Sequence, residues 1–150
     1  MNRVRDFEEC IMLGVVKVQK PDNSRAEFLV KASGQSYVNL MEKIDKIGIK
    51  KSNANDFVRD CYDILMEIIR AKMLLDGYNA SGFGAHEAEV SYMRKLNFEE
   101  KDIQFADQIR YFRNGILYYG EILDKEYAEK VISFTKQSYI KLKSILQTKS

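Results

Sequence analysis

A chain of 150 residues, 45% hydrophobic and 31% charged, has ordinary globular composition and enough length for one domain with a substantial core. Its formal charge of +2 is too small to imply a nucleic-acid partner by itself, and one proline with eight glycines leaves few obligatory breaks, favouring long helices. Two cysteines, Cys10 and Cys61, and a single histidine, His86, cannot assemble the usual zinc constellations or a di-iron site, so no metal or other cofactor is expected.

Residues 1–22 carry Asp6, Glu8 and Glu9, and Lys17 interrupts the apolar run CIMLGVVKV, which does not fit a secretion signal. No apolar stretch approaches the roughly 20 residues that span a bilayer. The expectation is a cytoplasmic protein, without membrane partners, whose thiols stay reduced. Ile11–Val18 is rich in β-branched residues but short and solitary. It predicts a short helix or extended arm closed by Pro21 rather than a sheet strand.

Ser24 with Glu27 reads as a capping box opening a helix that runs to Gly48. Ala26, Leu29, Val30, Ser33, Tyr37, Leu40, Met41, Ile44 and Ile47 keep the spacing of a buried face, and Gly34 leaves room for a neighbouring helix. A second helix starts near Asn53–Asn55, turns Phe57, Cys61, Ile64, Leu65, Ile68 and Leu75 inward, and stops at Asp76-Gly77. After a loop marked by Ser81, Gly82 and Gly84, Ala85–Leu96 reads as a shorter helix opened by His86-Glu87-Ala88. Asn97 and Glu100 cap the next helix, which Gly120 ends. Asp124 caps the last, whose core face carries Ala128, Val131, Ile132, Thr135, Ser138, Tyr139, Leu142, Ile145 and Leu146. Four long helices and a short one predict an all-α fold, an antiparallel up-and-down four-helix bundle forming a single domain over 1–150.

The stretch Asp102–Gly120 carries two stripes. Phe105, Ile109, Phe112 and Ile116 form one apolar row; Asp107, Tyr111, Asn114 and Tyr118 repeat the same steps on nearly the opposite side, with Arg110 and Arg113 between. One apolar face suffices for a bundle, so the tyrosine-bearing row predicts a covering partner, most economically a second copy of the chain about a two-fold axis. Tyr119 lies nearest the apolar row and is expected in the core. The lysines of the C-terminal region, Lys136, Lys141, Lys143 and Lys149, read as a solvated helix end.

No glycine-rich phosphate loop is present; Gly82-Phe83-Gly84 is too short and follows no predicted strand. A nucleophile–histidine pair would have to use His86, and nothing in the sequence brings Cys10 or Cys61 to it. The bland reading of His86 is a helix-start residue bonded to local backbone.

Arg113-Asn114-Gly115-Ile116-Leu117-Tyr118-Tyr119-Gly120 resembles the signature of HEPN domains (higher eukaryotes and prokaryotes nucleotide-binding). The resemblance extends in pattern over roughly residues 10–145, through the arm before Pro21-Asp22, through Leu75-Asp76-Gly77-Tyr78 and through His86-Glu87-Ala88. It implies a four- or five-helix bundle that dimerises. In ribonuclease members an arginine followed by a polar residue, with a histidine four to six residues on, lines a cleft where RNA is bound and cut. Arg113 and Asn114 match that pattern, but Tyr118 stands where RN-x-x-x-H would put histidine. A phenol with a reference pKa of about 10 is poorly suited to proton exchange at neutral pH.

These considerations give a non-catalytic dimeric binding or regulatory module for nucleotide or RNA. The resemblance adds pairing with a small nucleotidyltransferase in a toxin–antitoxin-type system. Arg110, Arg113, Asn114 and Tyr118 are the candidate ligand contacts, through planar guanidinium forks and aromatic stacking. Asp107, Tyr111, Asn114 and Tyr118 are the candidate dimer interface. Two alternatives stand beside it. One is a metal-independent endoribonuclease using Arg113 with Tyr118 or His86; the other is a purely structural homodimer with no nucleic-acid role. The bland reading of the arginines is intrahelical pairing, with Asp107 three residues before Arg110.

Overall fold

The helical periodicity is realised in a computed structural model that describes residues 3–119 and 123–147, and their side chains apart from 116–119. The elements in order are α1 (Phe7–Met12), β1 (Val16–Val18), α2 (Asn23–Lys46), α3 (Ala54–Leu75), β2 (Tyr78–Ala80), α4 (Ala85–Tyr92), a 3-10 turn (Met93–Leu96), α5 (Glu100–Tyr119) and α6 (Lys125–Gln147). The chain is mostly helical, as the sequence predicts.

The centre of the molecule is α3. Phe57, Val58, Cys61, Tyr62, Ile64, Leu65, Met66, Ile68 and Ile69 are all buried, and they point to every side of that helix. A helix apolar all round must be wrapped by its neighbours. Here α2 and α6 flank it along its length, and α4, α5 and β2 complete the cover. The row Phe105–Ile109–Phe112 of α5 does face inward, with Ile109 fully buried, so α5 is one wall around α3 rather than the hub.

Other expectations hold in detail. Asp124 caps α6 by accepting from the Tyr127 amide at 2.7 Å, and Ala128, Val131, Ile132, Thr135, Ser138, Tyr139 and Leu142 are buried. Gly34 lies where a Cβ would touch the Tyr139 hydroxyl at 3.4 Å, while Tyr37 stacks on Tyr139 with centroids 4.2 Å apart.

Several expectations are corrected. Val16–Val18 is a strand after all: it pairs antiparallel with Tyr78–Ala80, Lys17 opposite Asn79. Its partner lies some sixty residues away, so local solitude was no argument against it. Gly77 holds the junction at φ +89°, and a Cβ there would fall 2.8 Å from the Gln19 carbonyl oxygen. The Gly82-Phe83-Gly84 loop therefore does follow a short strand. Asp22, not Ser24, caps α2, accepting from the Arg25 amide at 3.1 Å. Ile47 is more than half exposed because it stands past the end of α2. Asn97 adopts a left-handed conformation (φ 65°) in the link before α5 instead of capping it. The end expected at Gly120 and the core position expected for Tyr119 lie outside the described residues and side chains. Among the described residues no helix is long and apolar enough to cross a membrane.

The arm formed by residues 3–12 is anchored by Arg94. Its guanidinium donates to the Val4 and Arg5 carbonyls, both at 2.8 Å, and to both Glu100 carboxylate oxygens at 2.7 and 3.0 Å, while Val4 and Phe7 fill the core beneath. Hydrogen bonding from Arg94, against a smaller burial effect, holds the Glu100 carboxyl down at about 2. A carboxyl whose folded pKa is depressed stabilises the fold above its unfolded value near 4.5 and loses that contribution as pH falls toward 2. Arg94→Ala should cost about 2 kcal/mol in urea unfolding, since bonds to charged groups contribute roughly that much net. It should also flatten the acid side of the stability profile between about pH 4.5 and 2, and open the arm to protease. An arm as protected as in the native chain would show that Arg94 does not hold it.

Candidate functional site

Three helices bring together a cluster of charged and aromatic groups. From α3 come Tyr62, Met66 and Arg70 at steps of four, with Asp63 and Glu67 on the adjoining row. The first turns of α4 supply His86 and Glu89, and α5 supplies Asp107, Arg110, Arg113 and Asn114. A cleft of about 240 Å³ runs between α3, α4 and α5, lined by Tyr62, Asp63, Glu67, Arg70, His86, Arg113 and Asn114. A second, of about 270 Å³, is lined by the Gly82–His86 loop, Glu87, Arg110 and Asn114. His86 and Asn114 line both.

Behind the lining residues Arg70 and His86 lies Glu89, 1% exposed. Arg70 reaches it with Nε to Oε2 at 2.5 Å and Nη2 to Oε1 at 3.1 Å, and His86 Nδ1 lies 3.1 Å from Oε1. The hydrogen bond to Glu89 leads the effects that raise the Arg70 pKa. A carboxylate this deep is tolerable only with such partners. The His86 side chain is 57% exposed, and its ring meets that of Tyr62 in a T-shaped contact with centroids 6.2 Å apart.

Every arginine here faces an acid. Arg110 Nε donates to Asp107 at 2.7 Å, the three-residue pairing legible in the sequence. Arg113 reaches Asp63 through one terminal nitrogen, at 3.3 and 3.4 Å, and Asp63 remains half exposed. With Glu67 also on the wall, whose carboxyl burial pushes up, the cleft holds no surplus of positive charge.

The residues singled out in the sequence separate as follows. Arg113, Asn114 and His86 share one cleft, and Arg110 joins the last two in the adjoining one. Asp107 is buried within the chain at 5% exposure, whereas Tyr111 on the same row is 58% exposed with its ring edge against Phe112. The Tyr118 side chain lies outside those described. His86 is bonded to a side chain rather than to local backbone. Cys10 and Cys61 are buried free thiols, and burial pushes Cys61 up to about 12, leaving it protonated and unreactive. Lys141 is tied to the Asn97 carbonyl at 2.5 Å and sits over the Phe98 ring.

Tyr62, Arg70 and Glu89 were not picked out from the sequence. The available signal was an arginine inside the otherwise apolar run Ile68-Ile69-Arg70-Ala71, and an acid between Ala88 and Val90 three residues after His86.

No protein-family model, curated protein or solved structure matches this chain.

Glu89→Ala should destabilise the fold by about 3 kcal/mol or more, because it strands Arg70. Replacing both, Arg70→Met with Glu89→Leu, should recover most of that loss in urea titrations. Because His86 is the sole histidine, its ring nitrogen resonances report directly whether the Nδ1 contact is lost in Glu89→Ala. Unchanged resonances would show that Glu89 does not orient the ring.

Proposed function

We propose that the chain is a HEPN-like antiparallel up-and-down four-helix bundle that acts as a non-catalytic homodimeric binding module for a nucleotide or RNA. The observation that carries the reading is that Arg113, Asn114 and His86, the last on a different helix, line one cleft. This gives the RNGILYYG signature a concave place in which its arginine can meet a phosphate. Tyr111 supports the dimer: an aromatic 58% exposed on α5, beside the cleft-lining Arg110, gains from being covered by its copy. The resemblance alone supports a small nucleotidyltransferase as partner in a toxin–antitoxin-type pair.

In light scattering the native chain should run as a dimer at micromolar concentration. Tyr111→Glu should weaken that dimer by roughly a hundredfold or more, since several kcal/mol attend burial of an unpaired charge. A folded native monomer at high micromolar concentration would remove the dimer from the reading. In titrations with single-stranded RNA, Arg113→Ala should weaken binding at least about tenfold, the loss expected for one charge-assisted contact.

The second reading, a metal-independent endoribonuclease, gains from the position of His86. Its Nδ1 lies against Glu89 and its ring lines the cleft that contains Arg113; there it would protonate the leaving 5′ oxygen as the 2′-hydroxyl attacks phosphorus, gives its proton to solvent and leaves a cyclic phosphate. Cleavage of RNA in chelator, abolished by both His86→Ala and Arg113→Ala, would establish this reading over the first. Intact RNA under those conditions supports the binding module.

A further inference from the structure

Two buried donors on the cleft have no acceptor among the described residues: the Tyr62 hydroxyl, on a residue 3% exposed, and Arg113 Nε. Buried donors are nearly always paired, so two orphans on the wall of one cleft call for an explanation. Burial, more than any other effect, pushes the Tyr62 phenol up, so it keeps its proton and remains a donor at neutral pH. An oxygen anion, with several lone pairs, can accept from both kinds of donor.

The charge around them limits the size of that anion. Arg70 and Arg110 are engaged at 2.5 and 2.7 Å with carboxylates that are almost fully buried. Arg113 is the loosest of the three, tethered at 3.3 Å to a carboxylate half in water. It is the arginine that can turn to an incoming anion while the other two stay in place. A run of phosphates would instead meet Asp63, Glu67 and Glu87 along the walls of the two clefts. One phosphate fits the balance; a strand does not.

The adjoining compartment supplies something different. Phe83 stands wholly in solvent between Gly82 and Gly84, both with left-handed backbone (φ +76° and +91°), beside Arg110 and the shared residues His86 and Asn114. A bare aromatic ring next to a guanidinium is a stacking platform for a flat ring.

We propose that the two joined clefts form a mononucleotide site, with one phosphate on Tyr62 Oη and Arg113 Nε and the base stacked on Phe83. The proposal rests on the binding-module reading and narrows it: the preferred occupant is a nucleoside monophosphate rather than a length of RNA. Asp63 yields Arg113 to the phosphate on binding.

The test is calorimetric titration of the full chain with adenosine monophosphate, adenosine, inorganic phosphate and a ten-nucleotide single-stranded RNA. Adenosine monophosphate should bind at least about tenfold tighter than adenosine or phosphate alone. Phe83→Ala should weaken it by about tenfold, in the range measured for loss of one base stack. Tyr62→Phe, which keeps the packed ring, should weaken it about fivefold or more, with an unchanged thermal melt confirming the fold. The RNA should bind no tighter than the mononucleotide, and its affinity should fall less than tenfold between 50 and 200 mM salt, whereas six to ten phosphate contacts would lose about a thousandfold or more. Tight RNA binding with a steep salt dependence would overturn the mononucleotide site while leaving the binding module standing. Adenosine monophosphate binding that neither variant moves would overturn the assignment of Tyr62 and Phe83. No binding of any probe would overturn the binding-module reading itself.

Discussion

Arg70 sits on a helix wrapped on nearly every side, and its need for a carboxylate shapes everything around it. A guanidinium in that setting cannot shed its proton, so it must be partnered where it stands. Glu89 meets the need from α4, which follows the β1–β2 strand pair and the glycines of the loop before it. The pair costs desolvation on both sides. What it gives in return is placement: the pair holds α4 on α3 in the register that brings Glu89 to Arg70.

That register has a consequence for the site. Glu89 is bonded by Arg70 on one oxygen and by Arg70 and His86 on the other, so the contact that seats α4 also orients the chain's single histidine. His86 thereby overlooks Arg113 and Asn114 on α5 without any direct bond to them. Behind the cleft the Arg70–Glu89 contact is short and buried, whereas Asp63 and Arg113 meet at 3.3 Å with Asp63 half exposed.

Much of this was legible in the sequence, and what was not has identifiable causes. The long helices and the core face of α6 follow from local spacing, and Asp124 as a cap follows from local chemistry. The strand Val16–Val18 did not, because its stability comes from a partner sixty residues on and from Gly77 admitting the Gln19 carbonyl. Asp22 took the cap from Ser24 because two acceptors only two residues apart compete and the local chain path decides between them. At the site, Arg113, Asn114 and His86 were legible as residue types with suggestive neighbours. Their meeting was not, since it depends on Arg70 and Glu89, which read in isolation as a polar residue on each of two helices. Asp107 and Tyr111 share a row by periodicity, yet the first, paired with Arg110, is buried and the second exposed.

The charge balance of the cleft also bears on whether the site turns over a substrate or only holds it. Cutting a phosphodiester needs a proton donor and, with it, a field that stabilises the extra negative charge on phosphorus. His86 meets the first requirement by position. The second is less well met: Arg70, Arg110 and Arg113 are each offset by an acid, and Glu67 adds another carboxyl to the wall. A ground-state phosphate asks only for one arginine to turn and two orphaned donors to be satisfied, whereas a transition state with added charge would ask for positive charge that its neighbours already claim. On the proposed reading, holding a phosphate would part only the Asp63–Arg113 contact, whereas turnover would require the buried Arg70–Glu89 and Arg110–Asp107 pairs to loosen as well.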